Sequence, residues 1–102
     1  MENRIELQLM FENILGSRNV YFQPPPSVKI KYPAIVYSLD TIEVDHANNR
    51  LYKKIPKYTA TLIDTNPSSE YLVKIMNLPY SKFDRFYTSD NLNHFVFTIY
   101  NK

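Results

Sequence analysis

Apolar side chains recur along the chain with two different spacings, and each spacing predicts a kind of secondary structure. Near the N-terminus the apolar residues lie three or four apart, as on one face of a helix: Leu7, Met10, Phe11 and Ile14. Gly16 follows shortly after, at the position where a left-handed helix end is expected. The pattern therefore predicts an amphipathic helix over residues 3–15.

The middle of the chain has the alternating pattern of strands. Residues 34–64 predict one long hairpin, whose first strand is apolar on both faces near residues 34–39, as is typical of a central strand. The polar cluster at residues 45–50 predicts the turn, and Pro56 indicates a bulge or a sheet edge in the returning strand. The outer half of the hairpin, residues 40–57, is predicted to be polar and to project from the core.

Prolines and short polar residues separate the remaining elements. A short β-type run at residues 19–22 precedes a stiff, proline-rich connector at residues 23–33. Asn66 is a suitable helix cap and Pro67 suits a first helical position, which predicts a helix over residues 67–77.

A second hairpin is predicted over residues 82–100, with its turn at residues 89–93. The resulting order α-β-β-β-α-β-β predicts a single α+β domain over residues 1–102. We expect an antiparallel sheet of four or five strands with a long projecting hairpin, packed against the N-terminal helix and the second helix.

Composition narrows the function classes. With 102 residues the chain is expected to form one domain, and no run of about 18 apolar residues predicts a membrane span. The chain has no cysteine for disulfide or thiolate chemistry, and its single glycine excludes glycine-rich phosphate loops. Acidic residues near the N-terminus are unlike a targeting peptide, so we expect the protein to stay in the compartment where it is made.

One segment, "DRFYTSDNLNHFVF" at residues 84–97, carries residue types that are used in catalysis. Ser89, His94 and either Asp84 or Asp90 could be interpreted as a nucleophile, a base and an acid. All of them lie in or beside one predicted turn, however, whereas a catalytic triad usually gathers its members from distant segments. Serine, aspartate and asparagine are also the residues that form turns, so the turn interpretation is favoured.

Other catalytic chemistry has weaker support. The two histidines, His46 and His94, lack the spacing of a metal site, and the acidic residues 40–45 lie on the projecting hairpin, where solvated carboxylates are expected. We therefore predict a protein that is not an enzyme and that has no catalytic residues, no metal and no cofactor. A small nucleic-acid-binding module remains an alternative, because aromatic side chains on a sheet can stack on bases. Phe95 and Phe97 are expected in the core, however, and the net charge of +2 is low for a phosphate binder.

Three segments together resemble a known family. They are "VYFQPPPSVKIKYPAIVYSLD", "YTATLIDTNPSSEYLVKIMNLP" and "FDRFYTSDNLNHFVFTIY". In particular Tyr32-Pro33, the sequence from Asp64 to Pro67 and the "DNLNH" turn resemble the tail completion, or tail terminator, proteins of long-tailed bacteriophages. These motifs are structural rather than catalytic.

This resemblance implies a structural virion protein at the head–tail junction, assembled in the host cytoplasm. It implies a ring of identical subunits, commonly a hexamer, that ends the tail tube and joins it to the head connector. The implied partners are copies of the chain, the tail tube protein and a head-completion or connector protein, with DNA passing through the ring without sequence-specific binding and with no membrane partner. A head completion or minor capsid protein of the same neck is the alternative within this class.

The projecting hairpin carries an unequal distribution of charge. Its first strand contributes three acidic residues and its second strand four basic ones: Asp40, Glu43, Asp45, Arg50, Lys53, Lys54 and Lys57. Two interpretations are open. These residues either form exposed ion pairs on a solvated hairpin, or they contribute to subunit contacts in which one copy's acidic edge meets the next copy's basic edge.

Overall fold

Five strands form one mixed sheet in the order β1-β2-β3-β5-β4, with two helices on one of its faces. The computed structural model describes residues 4–47 and 50–101. Along the chain the elements are α1 (Arg4–Leu15), β1 (Val20–Phe22), β2 (Ala34–Ala47), β3 (Arg50–Asp64), α2 (Tyr71–Met76), β4 (Ser81–Ser89) and β5 (Leu92–Tyr100). The α+β class and the element order predicted from the sequence are confirmed.

The expectation of a purely antiparallel sheet is wrong for one strand. β2, β3, β5 and β4 pair antiparallel, but β1 lies parallel to β2, with Val20 opposite Ile35 and Phe22 opposite Tyr37. The reason is the connector after β1, which carries the chain back to the end of the sheet where β1 began. A parallel pair requires such a return, whereas a tight turn would have produced an antiparallel pair.

Helix α1 buries one face and ends as the sequence predicts. Leu7, Phe11, Ile14 and Leu15 are buried, and Met10 packs partly against them. Gly16 has φ of +69°, and its N–H donates to the Glu12 carbonyl at 2.9 Å. This is the left-handed ending in which a residue without Cβ is least strained.

Helix α2 is shorter than the predicted 67–77, because it begins at Tyr71. The residues before it form side-chain turns instead of a helical first turn. The Asn66 carboxamide oxygen accepts from the Ser68 N–H at 2.9 Å, and the Asp64 carboxylate accepts from the Asn66 N–H at 3.1 Å. Short polar side chains that satisfy nearby backbone donors in this way compete with helix formation, so Asn66 and Pro67 belong to a turn.

The core lies between the helices and one face of the sheet. Register places Ile35, Leu62 and Phe95 in one row across β2, β3 and β5, and all three are buried with Leu7 and Ile75 from the helices. The adjacent row along the strands is Tyr37, Ala60 and Phe97. The expectation that Phe95 and Phe97 lie in the core is therefore confirmed.

A partly buried polar cluster around Tyr37 fixes α1 on the sheet. The Arg4 guanidinium donates to the Tyr37 hydroxyl at 3.2 Å, and that hydroxyl donates to the Gln8 side-chain oxygen. Gln8 also donates to the Val20 carbonyl at 3.1 Å, and Arg4 lies 4.5 Å above the Phe22 ring. Side chains of α1 thus reach both β1 and β2, so the cluster sets where the helix sits.

Removing a buried side chain of α1 should destabilise the fold much more than removing an exposed one. Phe11 is fully buried, whereas Leu9 on the same helix is 59% exposed. We expect Phe11→Ala to lower the free energy of unfolding by about 3–5 kcal/mol and Leu9→Ala to change it by less than about 0.5 kcal/mol. Denaturant titration of both variants measures this, and equal losses would contradict the proposed packing of α1.

Burial of Tyr37 should also make stability depend on alkaline pH. Burial raises the pKa of the Tyr37 hydroxyl above its usual value, and this outweighs the opposing effect of Arg4. A group with a raised folded-state pKa contributes stability that is complete below its unfolded-state pKa of about 10 and is lost as pH rises beyond it.

We therefore expect the free energy of unfolding to fall above pH 10 more steeply for the wild type than for Tyr37→Phe. The comparison cancels the titration of the other tyrosines, which both proteins share. A difference between the two proteins that stays constant from pH 8 to pH 11 would contradict this assignment.

Candidate functional site

The outer half of the β2–β3 hairpin extends beyond the rest of the sheet. Pairing of β3 with β5 ends at Lys57 opposite Tyr100, and β1 pairs with β2 only as far as Tyr37. Residues 40–57, which we call the arm, are consequently a two-stranded ribbon in their described part. The molecule is 51 Å long, and the predicted projection agrees with this register.

A β-bulge at Asp40 determines which side of the arm is apolar. Leu39 lies opposite Tyr58, and Thr41 lies opposite Lys57, so β2 contains one extra residue at this point. Because β3 continues without a break, Ile42 opposite Pro56 lies on the same side of the sheet as Leu39 and Tyr58. This is the side on which the helices pack, and we call it the helix side.

The expectation that residues 40–57 are polar is wrong for the helix side of the arm. Ile42 is 40% exposed and Val44 is 48% exposed, and Leu39 beside them is 41% exposed. Alternation in Thr41-Ile42-Glu43-Val44 puts apolar side chains on one side and polar ones on the other. The helices do not cover this part of the strand, so the apolar side remains in contact with water.

The predicted charged residues all lie on the arm, and among those whose side chains the structure describes, Asp40 and Lys57 are in contact. Lys57 Nζ is 3.4 Å from the Asp40 carboxylate, an exposed ion pair within one chain. Asp45 is the register partner of Lys53, while Glu43, Lys54 and Arg50 lie opposite Ile55, Val44 and Ala47. An exposed pair contributes only about 0–1 kcal/mol, so the observed contact explains little of the fold's stability.

A second uncovered surface lies at the opposite end of the sheet, on β4. Asp84 sits in a bulge there, because Phe83 lies opposite Phe97 and Arg85 lies opposite Val96. Phe83 and Phe86 therefore both point to the helix side, with ring centroids 5.4 Å from Phe97 and 5.0 Å from Phe95. They are nevertheless 43% and 47% exposed.

The other side of β4 is cationic and aromatic. Lys82 and Arg85 lie opposite Thr98 and Val96, on the side of the sheet away from the helices, which we call the open side. Tyr87 stacks on His94 with ring centroids 4.6 Å apart, and the Arg85 guanidinium lies 5.8 Å from the Tyr87 centroid. β4 thus presents two phenylalanine rings on its helix side, and positive charge beside the stacked Tyr87 ring on its open side.

The segment with catalytic residue types forms a tight hairpin turn. Asp90 and Asn91 have φ of +53° and +62°, and they connect Ser89 to its partner Leu92. Two residues at positive φ are the signature of a two-residue hairpin loop whose twist matches its strands. The turn interpretation is confirmed, but the turn is shorter than the predicted residues 89–93 and consists of Asp90 and Asn91.

The structure places the members of the supposed triad in other contacts. The His94 ring stacks on Tyr87, and its Nδ1 lies 3.2 Å from the Leu92 carbonyl oxygen. Asn93, assigned to the turn from sequence, is instead a buried β5 residue whose carboxamide donates to the Asp64 and Thr65 carbonyls at 3.2 Å. These are the contacts of a folded hairpin, and the absence of catalysis stays a prediction.

Other kinds of site find little support in the described ranges. Residues 4–47 and 50–101 contain no pocket and no group of three or more acidic or histidine side chains that could hold a metal. None of the helices in this part of the chain has the length and hydrophobicity needed to cross a bilayer.

Sequence reasoning missed the apolar residues of both surfaces, although a local signal exists. Leu39-Asp40-Thr41-Ile42 and Phe83-Asp84-Arg85-Phe86 share an apolar–Asp–x–apolar pattern. In an unbroken strand, residues three apart face opposite sides. In both segments the aspartate occupies a bulge, so the flanking apolar residues face the same side.

Comparisons with protein-family models, with curated proteins and with solved structures find no match. The likeness to phage tail completion proteins therefore rests on the sequence motifs alone.

The turn and the catalytic interpretations of the β4–β5 hairpin predict different effects of mutation. At φ of +62° an alanine side chain is strained, so we expect Asn91→Ala to lower the free energy of unfolding by about 1 kcal/mol. Ser89→Ala should change it by less than about 0.5 kcal/mol, because Ser89 is exposed. Denaturant titration measures both, and an Asn91→Ala variant as stable as the wild type would contradict the turn geometry.

Proposed function

We propose that this protein is a structural subunit that assembles with copies of itself. The observation that supports the proposal is the arm, a two-stranded ribbon with exposed apolar side chains on its helix side. An isolated two-stranded ribbon is marginally stable in water, and exposed apolar patches commonly mark protein interaction surfaces. An arm of this kind is therefore stabilised when it packs against another molecule.

The resemblance to tail completion proteins makes the proposal more specific. In that setting the copies form a ring, commonly a hexamer in that family, that ends the tail tube and joins it to the head connector of a bacteriophage. The tail tube protein and a head-completion or connector protein then contact the two faces of the ring, and DNA passes through its lumen. The protein's place would be the virion neck, reached by assembly in the host cytoplasm.

Two kinds of residue on the arm support a contact between copies. Ile42 and Val44 offer apolar area, while Glu43 between them is an exposed charged residue on the same strand. Apolar area supplies affinity, and charge placed around it fixes the orientation of the partner. Of the seven charged residues predicted as interface candidates, the three acidic ones lie on the arm's β2 strand and the four basic ones on its β3 strand.

A nucleic-acid-binding module is the second candidate, and one observation favours it. On the open side of β4, Tyr87 stacks on His94 with Arg85 and Lys82 nearby, a combination that can hold a base and its phosphate. Phe95 and Phe97, the aromatics first considered for stacking, are buried in the core. A phosphate binder would leave a nucleic-acid column in a steeply salt-dependent manner.

The wild type should show a mass that increases with concentration, and acidic residues on the apolar side of the arm should weaken this assembly. We expect Ile42→Asp/Val44→Asp to raise the concentration at half-assembly by about tenfold or more, because association would bury two carboxylates. Sedimentation or light scattering across a concentration series measures it.

The matched control is Ile5→Asp/Leu9→Asp, which places the same charges on two exposed apolar positions of α1. This control should assemble like the wild type. A wild type that stays monomeric throughout the series, or one that binds single-stranded DNA in a salt-dependent manner without assembling, would refute the proposal.

A further inference from the structure

We infer that the arm's β2 strand from one copy adds to the outer edge of β4 in a second copy, so that the two sheets become continuous. This inference rests on the proposed self-assembly and names the two surfaces that meet. Association by strand addition uses main-chain hydrogen bonds for affinity and alternate side chains for specificity.

Both edges are open in the described part of the chain. β4 is the last strand of the sheet, and all of its residues except Ser81 are exposed. Along β2, no described strand pairs with the outer side beyond Tyr37, although the Gln23 side chain accepts from the Leu39 N–H. Open strand edges carry unpaired backbone groups and readily accept another strand.

The two edges also face opposite directions. In the order β1-β2-β3-β5-β4 the outer side of β2 faces the β1 end of the sheet, and β4 forms the other end. Joining them lets every copy keep its helices on the same side and use both surfaces, which is the head-to-tail repetition from which rings are built. Joining the arm's β3 edge to β4 would instead require the second copy to be rotated by half a turn relative to the first.

Strand direction is compatible with this arrangement. β2 and β5 are both antiparallel to β3, and β4 is antiparallel to β5, so β4 runs opposite to β2. A second copy in the same orientation therefore presents its β2 antiparallel to β4. The edge of β4 is nine residues long, and the β2 stretch from Leu39 to Ala47 has a similar length.

On the helix side of the joined sheet, apolar groups would meet apolar groups. Ile42 and Val44 lie on this side of the arm, and Phe83 and Phe86 lie on this side of β4. All four are between 40% and 48% exposed in a single copy. Aromatic and β-branched side chains on adjacent strands form favourable cross-strand pairs.

On the open side, opposite charges would meet. Glu43 lies opposite Ile55 on the open side of the arm, and Lys82 and Arg85 lie on the open side of β4. Asp40, Glu43 and Asp45 make the arm's β2 strand acidic, while Lys82 and Arg85 outweigh Asp84 on β4. The arm's β3 strand is basic, so it would repel β4.

The decisive experiment exchanges the charges of the two surfaces. The arm variant Glu43→Lys/Asp45→Lys makes the β2 strand net positive, and the edge variant Lys82→Glu/Arg85→Glu makes β4 net negative. Each variant alone sets like charges against each other, so we expect the concentration at half-assembly to rise about tenfold or more, and further at low salt.

An equimolar mixture of the two variants should restore assembly to within about threefold of the wild type. In the mixture each arm meets an edge of opposite charge, and the copies alternate. Circular dichroism of each variant before mixing checks that it is folded. If either folded variant assembles like the wild type, or if the mixture fails to assemble, the inference is wrong.

A further variant tests the rival acceptor, the basic β3 strand of the neighbouring arm. Lys53→Glu/Lys54→Glu should leave assembly within about threefold of the wild type, because these residues lie outside the inferred contact. If this variant fails to assemble while the edge variant assembles like the wild type, the contact lies on β3. The inference is then wrong, but the proposed self-assembly stands. A wild type that never assembles would instead overturn the proposed function, and the inference with it.

Discussion

The helical layer of this protein is too small to cover its sheet, and the uncovered surfaces follow from that mismatch. Helix α1 has 12 residues and α2 has six, which correspond to lengths of about 18 Å and 9 Å. Strand β3 has 15 residues and spans about 50 Å. The helices therefore cover the core rows of the sheet, where Leu7, Phe11 and Ile75 pack, and leave the arm and the β4 residues Phe83 and Phe86 exposed.

Within the covered region, the Tyr37 cluster determines where the helical layer sits. Arg4 and Gln8 hold the Tyr37 hydroxyl, and Gln8 also bonds to the Val20 carbonyl, so α1 is fixed over β1 and β2 rather than over β4. A buried hydroxyl with both a donor and an acceptor partner avoids the penalty of desolvation. The same contacts thus stabilise the core and leave the β4 aromatics exposed.

Much of the fold could be predicted from the sequence, because it depends on local periodicity. The α1 face, the Gly16 ending, the extent of the β2–β3 hairpin and the core face of β5 all follow from spacing and turn chemistry. The parallel pairing of β1 could not be predicted in this way. It depends on where the connector returns the chain, and proline content indicates stiffness but gives no direction.

The predicted site shows the same difference between properties that are local in sequence and properties that depend on tertiary structure. The charged residues of the arm were identifiable because charge is evident in sequence, and the structure adds the contact between Asp40 and Lys57. The apolar sides of the arm and of β4 were missed because their exposure is a tertiary property. Ile42 and Phe86 have the residue types of a core, and only the limited reach of the helices leaves them at the surface.

The two bulges connect this exposure to the proposed assembly. Without the bulge at Asp40, Ile42 would lie opposite Ile55 on the open side, and without the bulge at Asp84, Phe86 would lie opposite His94 on the open side. In a regular strand these apolar residues would face the open side. Each bulge shifts the alternation by one residue, so that they face the helix side instead. Bulges also discourage indiscriminate edge pairing, because a strand with an irregular edge accepts fewer partners than a flat one. A contact between two such edges would be more selective than strand addition in general, which is what an assembly that must close on itself requires.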